Sequence, residues 1–398
     1  MPVNTPLHGF FTFIAMNKSE RLLSLDAFRG FTMASMVLVN NPGSWEHIYP
    51  QLEHAAWNGW TFTDCIFPFF LWIVGVAITF SLSSRRRKGA TTNAVLIQIV
   101  RRTLVLFFMG IVLNGFPFGL IGDASFSLSS IRIPGVLQRI AIGYCCASIL
   151  YLYASTRGIG IAIGALLSGY WILMTLLPVA GIELGSMEMG KNFASYIDSI
   201  FLSGHMWKNT MTWDPEGIVS TLPAIASTLF GVLTGKYLQS AKHSPGEKTN
   251  WMIVVGSGMI FLGIVLDMWL PINKSLWTSS YSIMMAGWAT VLFAIVYFIL
   301  DVKHITWWSF PFIVYGSNAI TAYCLSAVQE SVIYAITTTI AVSAEQPQVL
   351  SLKDYWMATF FFPYAAPLNA SLLYGLCTVG AMYCILWVML KNKWIVKI

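Results

Sequence analysis

The chain is short of charge: 10% of its 398 residues are Asp, Glu, Lys or Arg, while 56% are hydrophobic. Soluble globular domains carry about 25% charged residues, so that class is excluded. Cysteine is also scarce. The six, at positions 65, 145, 146, 324, 377 and 384, lie in apolar stretches without a CxxC spacing. That pattern speaks against a zinc site or a disulfide frame and for buried free thiols. No glycine-rich phosphate loop, HExxH or GxSxG occurs. No basic residue precedes the short apolar patch at 10–16, so it is not a signal peptide. Residues 1–20 read as a cytoplasmic or interfacial segment.

Long apolar runs are what the chain does have. A helix needs about 20 apolar residues to cross a bilayer, and hydropathy predicts about ten candidates. They cover 28–40, 67–82, 103–116, 136–153, 159–178, 219–237, 251–270, 281–300, 310–328 and 372–390, the first and third being short. The fold class is therefore an all-α polytopic membrane protein. A further apolar segment, 355–364, is too short to cross and reads as re-entrant or interfacial. Span lengths are irregular and show no inverted repeat of the transporter kind. With ten spans both termini share one side. Of the 23 basic residues only Arg132, Arg139, Lys191, Lys208, Lys274 and Lys353 fall opposite. The positive-inside rule then makes both termini cytoplasmic, and the net charge of +6 reports topology, with no nucleic-acid partner implied.

The polar clusters are expected on the outer half. The densest is His54-Ala-Ala-Trp57-Asn58-Gly59, followed by Asp64 at the head of the second span. His54 reads either as a histidine of an aromatic belt or as a proton-transfer base. Asp64 reads as a partner of the helix dipole. If its helix begins a turn earlier, it becomes a buried acid in need of a partner, for which His54 is suited. Asn40, before Asn41-Pro42-Gly43, is either part of a helix stop or an amide able to donate to an oxyanion.

Arg139, near the start of the fourth span, would cost about 2.5 kcal/mol or more facing lipid. It is expected to face a polar cavity with Gln138, and with Arg132 it suits phosphate or carboxylate binding. Asp214 and Glu216 precede the sixth span, where they either cap the helix or grip an amine or sugar hydroxyls. Asn273, Lys274 and Trp277 form an outer turn, and Ser317 and Asn318 interrupt the ninth span as packing or cavity-lining groups.

In order along the chain, these blocks resemble the transmembrane acyltransferases related to heparan-alpha-glucosaminide N-acetyltransferase. The blocks are Arg21-Leu-Leu-Ser-Leu-Asp26-Ala-Phe-Arg29-Gly30, Val39-Asn40, His54-Ala-Ala-Trp-Asn-Gly59 and Asp64-Cys-Ile-Phe-Pro68, then Arg132-Ile-Pro-Gly-Val-Leu-Gln-Arg139, Asp214-Pro-Glu-Gly217, Pro271-Ile-Asn-Lys-Ser-Leu-Trp277 and Lys391-Asn-Lys-Trp-Ile-Val-Lys-Ile398.

The resemblance implies a transmembrane acyltransferase domain over 21–398 that moves acetyl from acetyl-CoA to the amine of a glucosamine-type sugar. It implies a catalytic His54, with Asn40 beside it, and a homodimer. Asp64 would orient His54, and Asn58, Arg132, Gln138, Arg139, Asp214, Glu216, Asn273, Lys274, Trp277, Ser317 and Asn318 would line donor or acceptor paths. No metal is implied. The chain lacks the luminal domain and following span of the lysosomal enzyme, as a prokaryotic member in a bacterial inner membrane would. A cell-wall amino sugar, free glucosamine or a glycan fragment is then the expected acceptor. The alternative from another class is a membrane transporter for amino sugars or related solutes.

Overall fold

The computed structural model describes residues 22–121, 126–343 and 346–396, with side chains described outside 338–349. The expected 1–20 segment, Lys18, Arg21 and Lys397-Ile398 lie outside those residues. The order of elements is α1 (Leu23–Asn40), α2 (Phe62–Arg87), α3 (Thr92–Gly115), α4 (Val136–Tyr153), α5 (Thr156–Leu176), a short α6 (Phe193–Phe201), α7 (Thr221–Gln239), α8 (Pro245–Leu266), α9 (Ser279–Tyr297), α10 (Phe310–Ser317), α11 (Ala319–Ala335), an antiparallel hairpin β1 (Thr337–Ser343) and β2 (Gln346–Ser351), a short α12 (Leu352–Trp356) and α13 (Pro367–Lys391).

Among the described residues seven helices are long and apolar enough to cross a membrane: α2, α3, α4, α5, α8, α9 with its π-helical extension to Val302, and α13. The positions expected for the other spans hold α1, α7 and the α10–α11 pair. These carry the polar side chains: Asp26 and Arg29 in α1, a series of Ser and Thr in α7, and a break at Asn318. A helix with polar groups on its sides is costly against lipid, and here such helices pack inside. Of the spanning helices α2 is the most enclosed, with 78% of its apolar window buried, against 22% for α3 and α8, whose apolar faces point outward.

Several boundaries differ from the sequence expectation. The second span begins at Phe62 and extends to Arg87, and the third begins at Thr92, capped by Thr91 Oγ1 on Ala94 N at 3.2 Å. Neither the first nor the third helix is short. Arg85-Arg86-Arg87 in the last turn of α2 and Arg101-Arg102 within α3 lower the local hydropathy while the helix continues, so the apolar run is shorter than the helix. The expected ninth span is two helices. The 355–364 segment is the end of α12 and a π-helical turn, Met357–Phe361.

Glycine sets how closely the inner helices approach. A methyl on Gly30 would lie 1.6 Å from Phe312 O, and one on Gly316 would lie 2.1 Å from Asp26 O, so α1 and α10 touch backbone to backbone. The same holds for α2 and α7, where a methyl on Gly75 would lie 1.9 Å from Thr228 O and one on Gly231 would lie 2.0 Å from Trp72 O. Lipid gives helices no hydrophobic reason to associate, and close backbone packing replaces it.

Loop contacts sort the helix ends. Asp301 accepts from Leu23 N (3.1 Å) and Ser24 N (3.0 Å), and Gln239 Nε2 donates to Ser83 Oγ (2.9 Å), which gathers the start of α1 and the ends of α2, α7 and α9 at one end. At the other, Gly59 N donates to Ile272 O at 2.8 Å and Trp57 Nε1 to Met187 O at 2.8 Å. Replacing Gly231 by Val is expected to destabilise the bundle by about 2 kcal/mol through overpacking. Gly160→Ala, where a methyl meets open space, is expected to be neutral or slightly stabilising. Thermal unfolding of the detergent-solubilised protein separates the two.

Candidate active site

Asp64 is built into its place before any chemistry is considered. It is the third residue of α2, 1% exposed, so its carboxylate must be fully partnered. Oδ2 accepts from Ala55 N and Thr61 N, both at 3.0 Å, and Oδ1 lies 2.6 Å from His54 Nδ1. Its main chain is held as well. Pro68 has no N–H, so the carbonyl of Asp64 loses its helical donor four residues on. The buried Tyr281 hydroxyl of α9 donates to that carbonyl at 2.6 Å instead.

These contacts fix the imidazole. Nδ1–H donates to the carboxylate, which leaves the lone pair on Nε2. His54 itself is half exposed, with 49% side-chain exposure, so Nε2 is open to an approaching group. Lys274 Nζ lies 3.2 Å from both ring nitrogens and 3.9 Å from Asp64 Oδ1. Equal distances place the ammonium off the axis of the Nε2 lone pair, so it charges the site without occupying that direction. Burial pulls Lys274 below the usual lysine range, against the opposing pull of Asp64 and Glu216.

The turn that carries Lys274 is held by Asn273, which is fully buried. Its Nδ2 donates to Asn58 Oδ1 at 3.1 Å and its Oδ1 accepts from Leu276 N at 2.9 Å. Trp277, at φ 50, closes the turn and packs on Phe67 of α2 with ring centroids 5.0 Å apart. Thus Asn58, Asn273, Lys274 and Trp277 gather around the His54–Asp64 pair.

Arg132, Asp214 and Glu216 form a separate cluster. Arg132 Nε and Nη2 donate to the two oxygens of Asp214 at 2.9 and 2.6 Å, and Nη2 also donates to Glu216 Oε2 at 2.5 Å. Burial works against its charge, but Glu216 and Asp214 hold the Arg132 pKa above the usual range. Neither acid caps α7, which starts at Thr221. Arg139 is 1% exposed and donates to Gly217 O and Ser220 Oγ, with its guanidinium 5.1 Å over the Trp277 ring. Gln138 is buried against Gly110 and Gly135. Arg139 Nε and Nη1 and Gln138 Nε2 have no hydrogen-bond partner among the described residues.

Between α1, α2, α3, α4 and α10–α11 lies a cavity of about 570 Å³. Arg29, Arg85 and Arg102 line one part of it with Ser81, Gln98 and Ser317. Asp26, Tyr144 and Tyr323 also line it, and the remaining wall is apolar, with Met33, Met36, Phe70 and Ile73 among its side chains. Asp26, Arg29, Met33 and Met36 form one stripe of α1 at three- and four-residue steps, and half-buried Asn40 is the next member of that series. Ser317 lines the cavity, and Asn318 lies beside it, at the end away from His54. Sequence reasoning read Arg85 and Arg102 only as topology charges and did not single out Tyr281 or Asp198. The Asp64/Pro68 spacing was the available signal for Tyr281, since it leaves a carbonyl needing a donor.

A family profile described as "Heparan-alpha-glucosaminide N-acetyltransferase, catalytic" matches residues 21–270. The human heparan-alpha-glucosaminide N-acetyltransferase is 30% identical over 352 residues, 76% of this chain and 52% of that protein. Its mouse counterpart is 29% identical over 364 residues, 79% of this chain and 54% of its own length. The chain spans about half the length of the curated relatives it matches.

Two tests follow from the charge pairs. Arg132→Met strands two acids and is expected to cost about 3 kcal/mol, with recovery when Asp214→Asn and Glu216→Gln are added, read by thermal unfolding. Asp198 accepts from Ile218 N (2.9 Å) and Asp214 N (3.2 Å), yet burial pushes its carboxyl up to about 6. A raised acid holds a proton in the folded state that the unfolded chain releases near 3.8. Its contribution to stability is complete below about pH 4 and is lost as pH rises through about 6. Asp198→Asn is expected to remove that part of the midpoint-versus-pH slope.

Proposed function

The chain belongs to the heparan-alpha-glucosaminide N-acetyltransferase catalytic family, and from that premise we propose that it is a membrane-embedded N-acetyltransferase. It moves acetyl from acetyl-CoA to the amine of a glucosamine-type sugar. The observation that carries this reading is the pairing of an ordered His54–Asp64 base with a long cavity, basic at one end, whose α1 stripe runs up to Asn40. The nucleotide phosphates of the donor fit beside Arg29, Arg85 and Arg102, and its uncharged arm fits the apolar walls leading toward the His54 end. The positive-inside rule puts the basic end in the cytoplasm and His54 outside.

In this mechanism the acceptor attacks as the free amine, a sugar ammonium first giving one proton to solvent, and His54 Nε2 takes the next proton from the attacking nitrogen. The amine nitrogen adds to the thioester carbon while the Asn40 amide donates to the carbonyl oxygen as it becomes an oxyanion. Collapse breaks the carbon–sulfur bond and the leaving sulfur recovers the proton from His54, giving the amide and CoA thiol. Asp64 keeps the imidazole in the tautomer that leaves Nε2 unprotonated, and stabilises the imidazolium once it forms. Lys274 brings a positive charge against the ring and favours its return to the neutral form. A route through an acetylated His54 differs in one respect: CoA is released in a burst before acceptor is added.

Detergent-solubilised protein given acetyl-CoA and glucosamine is expected to release free thiol. A transporter would release none. His54→Ala is expected to lower turnover on the order of 10²–10⁴-fold, and Asp64→Asn by a comparable factor through the wrong tautomer. Full turnover in His54→Ala would remove the base assignment.

A further inference from the structure

The Lys391-Asn-Lys-Trp-Ile-Val block, conspicuous in the sequence, takes no part in the chemistry above. Structurally it begins with a reversal. At the end of α13, Lys393 has φ 60, Lys393 N donates to Leu390 O at 3.0 Å and Trp394 N donates to Met389 O at 2.8 Å. This left-handed stop turns the chain back on the bundle. Residues 394–396 then pass the break between α10 and α11.

Asn318 sits at that break, 1% exposed, in a non-helical conformation at φ −130. Both ends of its amide are spent on the returning segment. Nδ2 donates to Trp394 O at 3.1 Å, and Oδ1 accepts from Val396 N at 3.0 Å. An interrupted helix at membrane depth is tolerated where it lines a cavity or is buried in protein, and here it is used to grip a strand of main chain. Within the gripped segment, Ile395 and Val396 line the same cavity as Arg29, Arg85 and Ser317.

We propose that Asn318 is a positioning residue for the donor, holding segment 394–396 as an apolar wall at the basic end of the cavity. The wall sets donor affinity and leaves the chemical step to the His54 end. The inference rests on the placement of acetyl-CoA in that cavity.

The test measures CoA binding calorimetrically to the detergent-solubilised full chain, beside steady-state kinetics. Ile395→Trp fills the wall without touching the clamp, and is expected to raise the Kd for CoA about tenfold or more. Asn318→Ala frees the segment, and is expected to raise Kd and the KM for acetyl-CoA by a similar factor, with kcat at saturating donor within about twofold. A purely structural tether would lower the thermal midpoint and leave Kd and KM alone. CoA binding by the unsubstituted chain with an unchanged Kd in Ile395→Trp overturns the wall and spares the donor reading. No CoA binding by the unsubstituted chain overturns the donor reading, and the wall with it.

Discussion

A single buried carboxylate organises the His54 end of this molecule. Asp64 stands where α2 enters the bundle, and three segments at that end contact it: the 54–61 loop through His54, Ala55 and Thr61, the 271–277 turn through Lys274, and α9 through Tyr281. A charge 1% exposed is tolerable only with such a set of donors. The same donors fix the geometry of the imidazole. Stability and chemistry are therefore coupled here, because the contacts that make the acid bearable are those that aim the base.

Around that centre the helices are sorted by polarity. The helices bearing Asp26, Arg29, the Ser and Thr of α7 and the Asn318 break lie inside, while α3 and α8 turn apolar faces outward. Polar helices gain little from lipid, so their placement follows from the cost of the alternative. Their association depends on close backbone contact at Gly30, Gly75, Gly231 and Gly316. Tight packing on those seams and an open cavity beside them are two results of one arrangement. Where glycine lets the backbones meet, α1 and α10 close; where Met33, Met36 and Phe70 stand, space remains.

Much of this was legible in the residues. The helical class follows from apolar runs alone, and the His54–Asp64 pairing was foreseeable once α2 could begin before Asp64. What single-residue reasoning could not see was which charges spend themselves on each other. Arg132 lies 82 residues from Asp214 and 84 from Glu216 in sequence, yet the three form one ion cluster. Arg139 is stacked on Trp277 across a turn that local pattern cannot locate. The cavity was illegible for a related reason: its lining is a stripe from each of several helices, and no stripe is unusual by itself.

The shape of that cavity bears on which of the two function classes fits. Between Phe70 and Arg85, both lining residues of α2, an ideal helix rises about 22 Å. Over that length the walls change from basic side chains to Met, Ile and Phe. A sugar in transit needs hydrogen-bonding groups along its whole path to replace water on its hydroxyls. Apart from Tyr144 and Tyr323, the wall beyond the basic end offers none, and that stretch opposes its passage. A donor with phosphates at one end and an uncharged arm matches the gradient, since each part meets the surroundings it tolerates. On the proposed function, the reacting end would travel the last turns from Met36 to Asn40, and the acceptor would reach His54 from the opposite side. Under that proposal neither substrate would have to cross the membrane, and the acetyl group alone would change sides.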